Sequence, residues 1–241
     1  MDIQNIFVLT GAGISAESGL GTFRDRGGVW SRFDPMKLAT PEAFAADPVL
    51  VHDFYNMRRR DAMKAEPNPA HAALARLEAE LTARGGRLFL CTQNVDDLHE
   101  RAGSREVVHI HGELLKARCT ACGARQAWRE DLSVETPCPS CGTRGSMRPD
   151  VVWFGEMPKH LDAIEDALLK SDLFVAIGTS GAVYPAAGYA AQAREFAIPT
   201  LALNLEAADN AGMFAKTRLG PASETVPAFL ADILAGGDGA G

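Results

Sequence analysis

The sequence predicts an α/β protein: a doubly wound, Rossmann-like parallel sheet carrying a smaller domain built from a zinc ribbon and a helical module. Three observations carry that reading. Short β-branched and aromatic runs alternate with stretches of helical periodicity. Most of those runs end in glycine, asparagine or aspartate, at the strand ends where ligands bind on such sheets. Two stretches break the alternation, one helical and rich in charge, the other holding four paired cysteines.

The first strand is expected at 6–10 and runs into Gly11-Ala12-Gly13-Ile14-Ser15-Ala16. That is a G-x-G-x-x-A turn between a strand and a helix, where backbone N–H groups can approach a pyrophosphate. Further strands are expected at 87–93, 107–111, 173–179 and 200–205, with 151–154 as another candidate. Asn68 as cap and Pro69 at the first position open a helix through AHAALARLEAEL. Helices are also expected at 160–170, 186–196 and 226–234. Residues 1–30, 87–112 and 151–234 then form the nucleotide-binding domain. Residues 31–86 and 113–150 form the small one. The tail at 235–241, AGGDGAG, has nothing to bury and is expected to be disordered.

With 241 residues, 46% of them hydrophobic, the chain can bury a core without disulfides. Twenty-four basic against 31 acidic residues give a net charge of −7 with no basic block, which argues against nucleic acid as a partner. No apolar run is long enough to span a bilayer, and the N-terminus lacks a secretory pattern. A cytoplasmic monomer without membrane partners is the expectation.

Cys119-Thr-Ala-Cys122 and Cys138-Pro-Ser-Cys141 stand fifteen residues apart, the spacing of a double-knuckle zinc site. Four thiolates leave no open coordination position, so one structural Zn²⁺ per chain is expected. A redox pair is the competing reading. Gly123 and Gly142 follow each pair and suit the tight turns that aim N–H groups at the sulfurs. Cys91 lies in an apolar run and reads as a buried thiol.

The acidic residue that usually ends a second strand and binds the ribose is missing. Glu206, in Asn204-Leu205-Glu206, is the better ribose partner for a dinucleotide. Two other strand ends carry polar clusters, Thr92-Gln93-Asn94-Val95-Asp96-Asp97-Leu98-His99 and His109-Ile110-His111-Gly112. On a parallel sheet both open onto the glycine loop's crevice, and His111 there is a candidate general base. A structural, core-bonded histidine is the alternative, and His109 shares it in part.

Together these residues resemble the sirtuin family of NAD-dependent protein deacylases. The matching elements are GAGIS (11–15), TFR (22–24), TQNVD (92–96), HG (111–112), the four cysteines, RPDVVWFGE (148–156), GTS (178–180) and NLE (204–206). The resemblance is closest to the class III members, through Tyr55-Asn56-Met57-Arg58 and RDRGGVW. It implies that the acyl-lysine carbonyl attacks the nicotinamide ribose and nicotinamide leaves. His111 then acts as base on a ribose hydroxyl, giving free lysine and O-acyl-ADP-ribose. Asn94 and Asp96 would hold the nicotinamide end and Gln93 the ribose. Phe23 would cover the sugar, and Arg24 would sit near the phosphates. Gly178, Thr179 and Ser180 would face the nucleotide, and Asn204 and Glu206 the adenosine ribose. Gly11, Ala12, Gly13, Ser15, Thr22, Trp30, Val95, Leu205 and Ala222 complete the implied NAD contacts.

For the acylated protein substrate, Val152, Trp153, Phe154 and Gly155 would pair edge-on with the peptide. Tyr55 and Arg58, three apart on one helix face, would clamp an acyl carboxylate, leaving Arg59 and Arg60 at the surface. Gly21 departs from the family's usual loop and gives it more freedom. The closest rival is a protein mono-ADP-ribosyltransferase, which breaks the same NAD bond without an acyl group. An ordinary Rossmann oxidoreductase lacks its acidic strand end here, and a zinc-ribbon binding module would occupy too little of the chain.

Overall fold

β1 (Asn5–Thr10) is buried throughout after Asn5, because successive side chains of a strand point to opposite faces and both faces are covered. Ile6 and Val8 enter one helix-covered layer, Phe7 and Leu9 the other. The computed structural model describes residues 3–22, 29 and 33–236. In it β1 pairs in parallel with β2 (Arg87–Thr92). Adding β3 (Val107–His109), β7 (Leu173–Ile177), β8 (Thr200–Asn204) and β9 (Lys216–Leu219) gives a six-stranded parallel sheet, ordered β3-β2-β1-β7-β8-β9. The chain reverses its winding between β1 and β7, and crevices open at such a switch point.

The strands end sooner than their apolar runs suggest. Gln93, Ile110, His111, Gly178, Thr179 and Leu205 all lie in the loops beyond. The glycine turn leads into a 3₁₀ helix, Ala12–Ser18, rather than an α-helix. The edge strand β9 escaped the sequence reading because it is short, polar and mostly exposed.

The helices are α1 (Pro41–Ala46), α2 (Pro48–Lys64), α3 (Pro69–Ala83), α4 (Leu98–Arg101), α5 (Leu161–Leu169), α6 (Tyr189–Glu195) and α7 (Ala222–Leu234). Asn68 caps α3 through Ala70 N at 2.9 Å, with Pro69 in the first turn. Ala70, Leu74, Leu77 and Leu81 of α3 pack with α7 against Ile6, Val8 and Leu90. That placement corrects the expected boundary at 31–86, because α3's apolar face is buried on the large sheet. The opposite layer holds α5 and α6 over Phe7, Phe89 and Phe174. No helix among the described residues is long and apolar enough to cross a membrane. Of the tail, all but Ala235 and Gly236 lies outside the described residues.

A second sheet joins β4 (Gly112–Cys119) in antiparallel pairs to β5 (Arg125–Ala127) and β6 (Met147–Val151). The candidate strand at 151–154 therefore does not belong to the parallel sheet. Its first residue ends β6, an edge strand that tolerates Pro149 beside a bulge in β4. A further core cluster brings Val51, Phe54, Tyr55 and Ala62 of α2 against Leu114, Val151 and Trp153.

The chain passes from one sheet to the other at Gly112, whose φ of +80° lies in the left-handed region. A Cβ there would run into the Asp150 carbonyl oxygen. Gly85 has a φ of +81° but open space around its would-be Cβ. Chemical denaturation should therefore rank Gly112→Ala as the costlier change, with Gly85→Ala near 1 kcal/mol and Gly112→Ala at about 3 kcal/mol or more. Equal costs would show that the second sheet yields freely at this junction.

Candidate active site and metal centre

Gly13 donates its N–H to Gly178 O at 2.9 Å, and Gly11 donates to Ile177 O at 2.9 Å. A Cβ on Gly13 would stand 2.7 Å from Gly178 Cα, so these glycines are required by the approach of two backbones. The contact brings the loops after β1 and β7 to one rim of a cleft of about 1130 Å³. Gly11, Ala12, Gly13, Thr22, Gln93, Asn94, Val95 and His111 line it. So do Val152, Trp153, Phe154, Gly155, Gly178, Thr179, Ser180, Asn204, Leu205 and Glu206. Asn204 fixes the second turn by accepting from Thr179 N at 3.0 Å. Phe23, Arg24 and Trp30 lie outside the described residues.

His111 Nδ1 lies 3.2 Å from Gln93 O. A carbonyl only accepts, so Nδ1 carries the proton and the neutral ring keeps its lone pair on Nε2. Burial lowers the pKa of His111 against the partial support of that carbonyl, which favours the neutral base.

Ser15 and Asp96 sit behind the cleft wall, both buried. Ser15 Oγ accepts from Asn94 Nδ2 at 3.1 Å and donates to Asp96 Oδ2 at 3.3 Å. Burial raises the Asp96 carboxyl, while Leu98 N, His109 and Ser15 oppose the shift.

Deeper still, Thr10 Oγ1 donates to Thr92 Oγ1 at 2.8 Å and meets His99 Nε2 at 3.0 Å. Thr92 Oγ1 also accepts from Asn94 N at 3.0 Å. His71 packs edge-on to His99 at 4.9 Å, and burial drives the His71 pKa down to about 4. Thr10, His71 and the role of His99 escaped the sequence reading. Their one signal was polar residues closing apolar strands and an Asn-Pro-x-His helix start.

Tyr55 and Arg58 lie on α2, Tyr55 against Trp153, and neither is among the residues lining the cleft. Trp153 Nε1 donates to the Tyr55 hydroxyl at 2.9 Å. Burial raises the Tyr55 pKa to about 12, so the phenol keeps its proton. Burial lowers the pKa of Arg58, countered by Tyr55 and Asp96. Arg60 is exposed and pairs with Asp131. Arg59 corrects the expectation of a surface residue: it is 0% exposed and donates to Asn56 Oδ1 at 2.7 Å and Leu114 O at 3.2 Å. One more correction concerns Ala222, which begins α7 inside the hydrophobic core and does not line the cleft.

Glu156 accepts from Arg148 Nη1 and Arg118 Nη2, each at 2.7 Å, and from Trp153 N at 2.9 Å. That pins the 152–156 loop.

All four sulfurs of Cys119, Cys122, Cys138 and Cys141 lie within 4.8 Å of one another. The Cys119–Cys141 and Cys122–Cys138 distances are both 3.8 Å. A tetrahedron with metal–sulfur bonds of about 2.3 Å has edges of about 3.8 Å, so the donor set fits zinc. Disulfide bonding would need about 2.05 Å. None of the four lines the cleft. Gly123 and Gly142 do make left-handed turns, but their N–H groups donate to Cys119 O and Cys138 O.

The sequence profile of the Sir2 family matches residues 11–185. An NAD-dependent protein deacylase of Caulobacter vibrioides is 57% identical over 97% of this chain and 98% of its own. A solved Sir2 homolog–NAD complex superposes with a TM-score of 0.84 at 36% identity, covering 98% of this chain and 91% of that one. A Sir2 structure with a deacetylated p53 peptide and 3′-O-acetyl ADP ribose gives a TM-score of 0.79 at 25% identity, covering 100% of this chain and 96% of that one.

The sulfur tetrahedron is directly testable. Metal analysis should find about one zinc per chain, and its removal should melt the β4–β6 sheet and abolish activity. Full activity in metal-free protein would contradict a structural metal.

Proposed function

Because the chain belongs to the Sir2 family, we propose that it is an NAD-dependent protein-lysine deacylase that removes acetyl groups and, through Tyr55 and Arg58, succinyl and malonyl groups. The observation that carries the reading is His111, a histidine with its free Nε2 on the same cleft as the glycine turn and the 93–96 loop. NAD would supply the ribose that accepts the acyl group; one water is consumed as the lysine amine leaves, and the products are free lysine, nicotinamide and O-acyl-ADP-ribose. The chain's own groups do the rest. Backbone at 11–13 and 178–180 cradles the phosphates, and Asn204 and Glu206 meet the adenosine ribose. Asn94, held through Ser15, orients the nicotinamide end together with Asp96. His111 Nε2 takes the proton from the ribose hydroxyl that attacks the acyl carbon.

The acylated peptide lies along 152–155. The N–H groups of Val152, Trp153 and Phe154 already serve His111 O, Glu156 and Ala39 O, so pairing there rests on carbonyl oxygens and on Gly155. With its oxygen accepting from Trp153, Tyr55 directs its own proton elsewhere, toward a carboxylate held by Arg58. Zinc at the four cysteines is structural. The reading extends to a monomer in the cytoplasm, and the lack of any disulfide among the five cysteines agrees with a reducing compartment.

His111→Ala should lower kcat by about 10²-fold or more while NAD binding and Tm hold. Because burial lowers the His111 pKa, the wild-type acid limb should fall below about pH 6.5, where the base becomes protonated. Comparable turnover by the variant would remove His111 from the mechanism. Arg58→Met should cost desuccinylation about 10-fold or more in kcat/KM and spare deacetylation of the same peptide. Equal losses on both would assign the arginine to the fold.

A further inference from the structure

His109 and His111 lie two apart, and their rings reach two consecutive carbonyls of one loop. His111 Nδ1 meets Gln93 O, and His109 Nδ1 meets Asn94 O at 3.0 Å. His109 differs at its other nitrogen, where Nε2 sits 2.7 Å from Glu100 Oε1. Both partners of His109 are acceptors, and both separations are hydrogen-bond distances. Each ring nitrogen therefore needs a proton. With the ring 5% exposed, such a charge persists only beside a compensating one. Glu100, 39% exposed on α4, supplies it.

We propose that His109 is a positioning residue for the reaction: as a doubly donating imidazolium it ties the Asn94 peptide, and with it the 93–96 loop, to Glu100. This rests on the reading that Asn94 and Asp96 orient the nicotinamide end of NAD. The other bonds of Asn94 itself are neutral: its N–H to Thr92 Oγ1 and its Nδ2 to Ser15 Oγ. The dyad is the charge-assisted one.

Several charged or titratable groups face His109. Glu100 comes from α4 and Glu113 from β4, and both favour its charge. Asp96 in the loop is itself lowered by His109, and His99 on α4 is disfavoured by it. Lys116 acts on Glu100 from β4. Burial pushes the His109 pKa down, but Glu100, Asn94 O and Glu113 outweigh it and hold it above the ordinary value. The sign follows directly. Below that raised pKa both bonds exist. Above it one proton is gone, and either Asn94 O or Glu100 loses its donor. An alkaline loss of activity results, separate from the acid limb set by His111.

The test compares pH profiles of kcat/KM for NAD, read as nicotinamide release at saturating acetyl-peptide, for wild type, Glu100→Gln and His109→Leu. In Glu100→Gln the amide can donate to Nε2, so a neutral ring with its proton on Nδ1 satisfies every partner. Activity near neutrality should stay within about twofold, and the alkaline limb should vanish. His109→Leu should raise KM for NAD about tenfold at every pH, with kcat changed less than about threefold. An unchanged alkaline limb in Glu100→Gln, or an unchanged KM in His109→Leu, overturns the dyad. Wild type that releases no nicotinamide overturns the deacylase reading instead. The dyad is then judged by the NMR titration of His109, whose pKa must lie above the ordinary imidazole value, against an ordinary titration that would sink it.

Discussion

Gly13 and Gly178 meet backbone to backbone at the point where the sheet reverses its winding, and neither position has room for a side chain. Everything that lines the cleft is arranged around that contact. It fixes the turn after β1 against the turn after β7, with Gly11 and Gly13 set beside Gly178 and Thr179. A methyl group at either glycine would force the two loops apart. The close approach is possible only because β1 and β7 are neighbours in register, Thr10 beside Ile177.

The histidines show how one side-chain type takes separate roles through its surroundings. His71 and His99 are buried against each other and against threonine and serine hydroxyls, and burial keeps them neutral. His111 is neutral for the same reason, yet its Nδ1 bond to Gln93 O leaves Nε2 free as a base. His109, one residue beyond Val108 on β3, is placed between a carboxylate and a carbonyl and carries a charge. The two histidines, one closing β3 and one in the loop beyond it, thus divide the work: one moves a proton, the other holds the loop.

Much of this was legible in the sequence because the signals are local. Gly11-Ala12-Gly13 after an apolar run, the paired cysteines and the Asn68-Pro69 cap each declare their geometry within a few residues. What was missed depends on contacts distant in sequence. The apolar face of α3 could cover either domain, and only its packing on Ile6 and Val8 decides between them. Arg59 sits in a run of three arginines that reads as a solvated face. It is buried because Asn56 and the Leu114 carbonyl, 55 residues away, meet its guanidinium. Ala222 was expected at the nucleotide, but it opens a core-facing helix and its methyl group is buried there.

The most direct measurement of the account is the product balance with NAD and an acetyl-lysine peptide. A cleft in which His111 deprotonates the ribose hydroxyl that takes the acyl group predicts nicotinamide, deacylated peptide and O-acyl-ADP-ribose in equal amounts, with no nicotinamide released when the peptide is unacylated. Nicotinamide release without acyl-lysine, accompanied by ADP-ribose attached to protein, would contradict it.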